Sequence, residues 1–142
     1  MKPIEDYTDS KQLENLMGNA KRLGNNEIYW KAFSRFCELQ GISAADPLER
    51  EFLSTLAAHE RLLTEKNGRT TLASRTRQKL RNKGVIQCLE DWSLEDKPTD
   101  GFQLLTANGL KTLTGEFLVV KYPEKFSSKA VEAAKKRLAN LT

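Results

Sequence analysis

The chain has 142 residues, of which 39% are hydrophobic and 30% are charged, and its formal net charge is +4. This length and composition predict a single folded domain with one hydrophobic core, and they exclude a disordered or linker-dominated chain. No apolar run approaches the roughly 18 residues that span a bilayer, and residues 1–8 lack the apolar region of a signal peptide, so we expect a cytoplasmic protein that does not enter membranes.

Capping residues and apolar spacing predict three helices in the first half of the chain, after a flexible leader over residues 1–8. The clearest start is Asp46-Pro47, where a capping side chain precedes a proline at the first helical position. The three helices are expected near 10–23, 26–40 and 47–66.

A fourth helix follows and carries most of the positive charge. Either Thr70 or Thr71 is expected to cap this helix, and Gly84 is expected to end it. The apolar spacing beyond Gly84 favours a fifth helix over 85–92, although a short strand near 85–87 fits the same residues.

The remaining elements are shorter. A loop around Pro98 precedes a further helix, and Thr114 begins another, although the valines within 117–121 also suit a strand. Ser127 is a good cap for the last helix. These elements predict an all-α, or mostly α, bundle of about seven helices in one domain over 1–142, with 98–142 as a C-terminal lobe.

The most informative feature of the chain is a cluster of basic residues between Lys66 and Lys83. This basic segment, KNGRTTLASRTRQKLRNK, contains seven basic residues and no acidic one, whereas the rest of the chain has a net charge of −3. A local concentration of positive charge on a folded domain is typical of a protein that binds a polyanion, most often nucleic acid.

Helical geometry separates this segment into an inner and an outer face. At 100° per residue, Gln78 and Asn82 lie in the middle of the outer face, between two pairs of cations spaced four residues apart. Arg77 and Arg81 form one pair, and Arg75 and Lys79 form the other. The inner face is expected to contain Leu72, Ala73, Thr76 and Leu80.

The residue types of the outer face suit the reading of duplex DNA. Glutamine and asparagine pair with adenine edges and arginine pairs with guanine, while lysine and arginine also contact phosphates. Hydroxyl groups at the start of the helix can hold a phosphate as well. We therefore expect contacts to nucleic acid, with DNA favoured over RNA, from Lys66, Arg69, Thr71, Ser74, Arg75, Arg77, Gln78, Lys79, Arg81, Asn82 and Lys83.

The order of a helix, a break and a basic helix is typical of a helix-turn-helix unit. Over about a dozen residues, TRQKLRNKGVI resembles the recognition helix and following strand of winged-helix proteins. The resemblance implies a strand after Gly84. It transfers no functional residue, because residues 87–96 lack the alternating pattern of the β-hairpin that completes a winged helix.

Three alternatives to nucleic-acid binding remain open. The basic segment could dock on an acidic protein partner, as a regulatory module does, or it could merely solvate its helix. A small nuclease is the third alternative, because carboxylates at Asp91 and Glu95 could hold divalent ions that activate water. As i,i+4 neighbours on an exposed helix side, these two residues more simply balance the basic segment.

No other residues form a convincing catalytic or metal site. His59 is the sole histidine and shares a helix face with Leu56 and Leu63, which favours a structural role. Cys37 and Cys88 lie far apart among apolar residues, and their spacing indicates buried thiols instead of a disulfide or a zinc site. We therefore expect no catalytic residue, no metal and no cofactor.

Overall fold

A computed structural model describes residues 2–42 and 44–141 of the chain. Within these residues the protein is 77% helical, with seven α-helices and no strand, which confirms the predicted all-α class. The helices are α1 Ser10–Arg22, α2 Asn26–Gly41, α3 Pro47–Asn67, α4 Ser74–Leu94, α5 Asp100–Ala107, α6 Gly115–Lys121 and α7 Ser128–Ala139.

Short 3₁₀ turns occupy Ile4–Asp6, Lys111–Leu113 and Pro123–Lys125. None of the helices in the described part of the chain combines the length and the apolar character needed to cross a bilayer.

The capping residues that the sequence identifies start their helices as predicted. An oxygen of Asp46 accepts a hydrogen bond from the backbone N–H of Glu49 at 3.1 Å, and Asn25 accepts one from Ile28 at 3.2 Å. Ser127 accepts one from Ala130 at 3.1 Å. Each bond satisfies a backbone donor that the first turn of a helix otherwise leaves unpaired.

Internal contacts divide the chain into two units, Met1–Ser54 and Thr55–Thr142. In the first unit α1 packs on α2, and the buried side chains include Leu13, Met17 and Phe33. Gly41 allows a close approach to the start of α3, because a Cβ atom there would lie 2.3 Å from the backbone oxygen of Arg50.

In the second unit α4, α6 and α7 pack against one another in all three combinations. Their buried side chains include Leu89, Val119, Ala134 and Leu138. The single domain over 1–142 and the lobe over 98–142 stay predictions.

A sharp break at Gly84 divides α4 into two helical segments. Gly84 has φ 86° and ψ 172°, a conformation that glycine adopts without the steric penalty of a side chain. The prediction that the basic helix ends at Gly84 is confirmed. The chain then resumes a helix instead of the strand that the winged-helix resemblance implied, and residues 117–121 are helical too.

Candidate functional site

The two units differ in charge. Residues 55–142 contain sixteen basic and ten acidic residues, a net charge of +6, whereas residues 1–54 contain seven basic and nine acidic residues, a net charge of −2. The basic segment therefore belongs to a unit that is positive as a whole.

One buried carboxylate holds the start of the basic helix. Both oxygens of Glu60 accept hydrogen bonds from the guanidinium of Arg77, each at 2.6 Å, and the backbone N–H of Ala73 donates to Glu60 Oε2 at 2.8 Å. The Glu60 side chain is only 8% exposed, and its hydrogen bonds to Arg77 raise the pKa of that guanidinium. Such a two-pronged pair fixes distance and orientation together.

This arrangement replaces the predicted threonine cap. The helix begins at Ser74 after Ala73, which has no side chain able to cap it. Thr71 is committed to the preceding turn, where its hydroxyl donates to the Arg69 carbonyl at 2.9 Å and its N–H donates to Thr64 Oγ1 at 2.9 Å. The predicted cap at Thr70 or Thr71 is therefore wrong.

A second carboxylate joins the two segments of α4 across the break at Gly84. Asp91, on the second segment, forms an ion pair with Lys79 on the first and accepts a hydrogen bond from Gln87 at 2.7 Å. The hydrogen bond from Lys79 is the main cause of a lowered pKa at Asp91, and the hydrogen bond from Gln87 adds to it. Because the pair spans the flexible glycine, it restrains the angle between the two segments.

Nearby carboxylates thus neutralise two cations of the outer face. Arg77 and Lys79 come from opposite cationic pairs of the outer face, and each is matched by a carboxylate. Their side chains are 43% and 30% exposed, so they are partly withdrawn from solvent. Leu72, expected on the inner face, is 54% exposed because it precedes the first helical turn.

The remaining residues of the outer face form what we term the exposed stripe: Arg75, Gln78, Arg81 and Asn82. All four are exposed, and their spacing places them along one side of the helix. Neither Arg75 nor Arg81 forms an ion pair with any carboxylate that the structure describes. Four more predicted contact residues are also exposed: Lys66, Arg69, Ser74 and Lys83.

Two acidic residues that follow the basic helix, Glu90 and Asp91, serve the fold. Glu90 accepts hydrogen bonds from the N–H and the hydroxyl of Ser127, which caps α7, and Asp91 pairs with Lys79. Within the described ranges, no three histidine, cysteine, aspartate or glutamate side chains come close enough to hold a metal ion.

The structure also contains a cavity that the sequence analysis missed. Its volume is about 660 Å³, and all the residues that line it belong to the second unit. One wall comes from the start of the basic helix, at Ser74, Arg75, Thr76 and Lys79. The opposite walls come from α3, α5 and α6, whose residues are distant in sequence, so no local pattern indicates this cavity.

His59 lies in the wall of this cavity beside the start of α5. Its Nε2 atom is buried and has no hydrogen-bond partner among the described residues, and burial lowers the pKa of the imidazole. Gly101 leaves room for the ring, because a Cβ atom there would lie 3.1 Å from His59 Nδ1. Because burial holds its pKa below the ordinary histidine value, the imidazole is mainly neutral at neutral pH.

A buried ion pair supports the cavity from the other side. Glu116 is 1% exposed and accepts a hydrogen bond from Arg137 at 3.0 Å, while Arg137 also donates to the Trp92 and Glu95 carbonyls. Burial raises the pKa of Glu116, and the hydrogen bond from Arg137 opposes that rise. The Arg137 guanidinium thus donates hydrogen bonds to three acceptors at once, which gives it a structural role.

Both cysteines are buried, as predicted, and neither belongs to a disulfide among the described residues. Burial raises the pKa of the Cys88 thiol, which disfavours the reactive thiolate.

Comparison of the chain with protein families, with curated proteins and with solved structures found no match.

Proposed function

We propose that the protein binds nucleic acid through the exposed stripe, with duplex DNA favoured over RNA, and acts in the cytoplasm. The observation that supports this proposal is the pairing pattern of the outer face. Arg75 and Arg81 lack any carboxylate partner among the described residues, while Arg77 and Lys79 between them are both matched.

The chemistry of the stripe suits a duplex. Gln78 and Asn82 are exposed between the two free arginines, and their amide groups can pair with base edges in a major groove. Arg75 and Arg81 can reach guanine or the flanking phosphates. Lys66, Arg69 and Lys83 add exposed charge at the two ends of the helix.

The matched cations have a different part in this proposal. Glu60 fixes Arg77 and the backbone at the helix start, and Asp91 fixes Lys79 in the middle of the first segment of α4. A helix held at two points presents its outer residues in one orientation, which reduces the entropy lost on binding. Arg77 and Lys79 are therefore positioning residues in this account, and the predicted role of contacting nucleic acid passes to their unpaired neighbours.

One observation favours a second candidate, an acidic protein partner. Leu72 is 54% exposed and Ile86 is 46% exposed, and these two side chains flank the basic helix in sequence. Exposed apolar groups beside cations suit a protein surface better than a phosphate backbone. A protein of this second kind would ignore duplex DNA at physiological salt.

Titration of labelled duplex DNA, single-stranded DNA and duplex RNA at two salt concentrations tests the proposal. We expect duplex DNA to bind tightest at low salt, and Arg75→Ala/Arg81→Ala to weaken its binding at least about ten-fold. The matched control is Lys111→Ala/Lys125→Ala, which removes the same charge from exposed sites in the same unit. Equal losses in both variants, or no duplex binding, would contradict the proposal.

A further inference from the structure

The cavity of the second unit has features that the proposed function does not use. At about 660 Å³ it lies within the usual range for small-molecule sites, about 300–1,000 Å³. The cavity shares Arg75 with the exposed stripe, but ligand binding in it does not require that the protein bind nucleic acid.

The cavity walls are mainly apolar and partly aromatic. Leu56, Leu63 and Leu105 supply aliphatic surface, and Trp92 and Phe102 supply aromatic surface. Aromatic walls favour a planar aromatic ligand, because rings gain from offset or edge-to-face contacts beyond the burial of area.

The charges of the cavity are distributed unevenly. Glu116 and Lys79 both line it, but each is matched by an opposite charge, from Arg137 and Asp91 respectively. Arg75 is then the lining cation without a carboxylate partner among the described residues.

The start of α4 adds positive character beside Arg75. Glu60 accepts the N–H of Ala73, but no described side chain accepts from the N–H groups of Ser74, Arg75 and Thr76, three residues that line the cavity. Such N–H groups in a first helical turn attract negative charge. Two other lining carboxylates, Glu95 and Asp100, form no ion pair among the described residues, and they follow α4 and begin α5 respectively. An anionic ligand would be repelled by these two groups, so its charge is expected beside Arg75.

We propose that this cavity binds a small aromatic carboxylate, with the carboxylate at Arg75 and the ring among Trp92, Phe102 and the leucines. The apolar walls exclude water from the ring, and the guanidinium supplies the charge-assisted hydrogen bonds that the carboxylate requires.

The test uses 3-phenylpropanoate and 3-phenylpropylamine, which share a ring and differ in charge. Amide NMR spectra of the full chain, titrated with each compound, should show saturable shifts at Ser74, Thr76 and Gly101. The carboxylate should bind at least about ten-fold more tightly than the amine. No saturable shift with the carboxylate up to about 10 mM, or equal affinity for the amine, would overturn the proposal.

Substitution of two arginines of the same helix, one in the cavity lining and one outside it, tests the position of the anion site. Arg75→Ala should weaken carboxylate binding by about ten-fold, whereas Arg81→Ala, on the same helix but outside the cavity lining, should leave it unchanged. Thr76→Trp should fill the cavity and abolish binding, with a folded spectrum as its check. Equal effects of the two arginine substitutions would refute the anion site even where Thr76→Trp does not fold. Because the titration contains no nucleic acid, its failure leaves the proposed function standing.

Discussion

Arg77 and Arg81 lie one turn apart on the same helix, yet their surroundings differ in kind. Arg77 forms two hydrogen bonds of 2.6 Å with a nearly buried glutamate, while Arg81 is exposed and lacks an ion-pair partner among the described residues. Lys79 and Arg75 repeat this contrast on the other cationic pair. Formal charge alone therefore does not identify a binding surface, since half of these cations serve the fold.

The two classes of cation should differ in which measurement their removal changes, stability or affinity. Removal of a matched cation leaves a carboxylate without its partner and should lower stability. Removal of an unmatched cation should lower affinity for a polyanion and leave stability nearly unchanged.

The largest effect on stability is expected at Arg137, the cation whose ion pair is the most deeply buried of those described. Its replacement by alanine leaves the buried Glu116 carboxylate and two backbone carbonyls without their donor. The free energy of unfolding should fall by about 3–5 kcal/mol, measured by urea denaturation. A fall below about 1 kcal/mol would show that water replaces the guanidinium without loss.

A smaller loss is expected at Glu60. Glu60→Gln removes the charge that holds Arg77 while preserving the size of the side chain, and it should lower the free energy of unfolding by about 2 kcal/mol. The control is Arg81→Ala on the same helix, for which a change under about 0.5 kcal/mol is expected. Equal changes in the two variants would abolish the distinction between matched and unmatched cations.

Asp91→Asn should convert a matched cation into an unmatched one. The substitution releases Lys79 and removes a negative charge beside it. Because this gain in positive charge should outweigh the lost positioning at low salt, affinity for duplex DNA should rise about three-fold, with a stability loss of about 0.5 kcal/mol. The same variant tests the nuclease alternative. That alternative requires divalent-ion-dependent cleavage by the wild-type protein and its loss in Asp91→Asn, whereas a binding protein leaves the DNA intact.

The smallest effect concerns pH and the unpaired His59. Burial lowers the pKa of His59, opposed by the carboxylates of Glu60 and Asp100, so the unfolded chain takes up a proton more readily. Stability should therefore fall as pH drops below the ordinary histidine value of about 6.5. In thermal unfolding measurements, the His59→Leu variant should lose less stability at acid pH than the wild-type protein. An unchanged dependence of stability on pH would show that His59 does not cause the acid destabilisation.

Local features of the fold were predictable from the sequence. The starts at Asp46 and Ser127 and the break at Gly84 depend on a few adjacent residues whose backbone preferences are strong. The cap at the start of the basic helix was not predictable, because Glu60 lies thirteen residues before Ala73 and supplies it through tertiary packing.

In the exposed stripe and the cavity, too, local features were predictable from the sequence and tertiary features were not. Helical spacing alone placed Arg75, Gln78, Arg81 and Asn82 together on the outer face. The pairing of Lys79 with Asp91 depends on how the chain turns at Gly84, which the sequence does not specify. The cavity requires α3, α4, α5 and α6 together, so only the folded structure shows it.

The most direct test of the account is the salt dependence of duplex DNA binding, measured by fluorescence anisotropy for the wild-type protein and for Arg75→Ala/Arg81→Ala. Two lost phosphate contacts should reduce the slope of the logarithm of affinity against the logarithm of salt concentration by about two units. Identical slopes for the two proteins would show that the exposed stripe does not contact the phosphate backbone and would contradict the account.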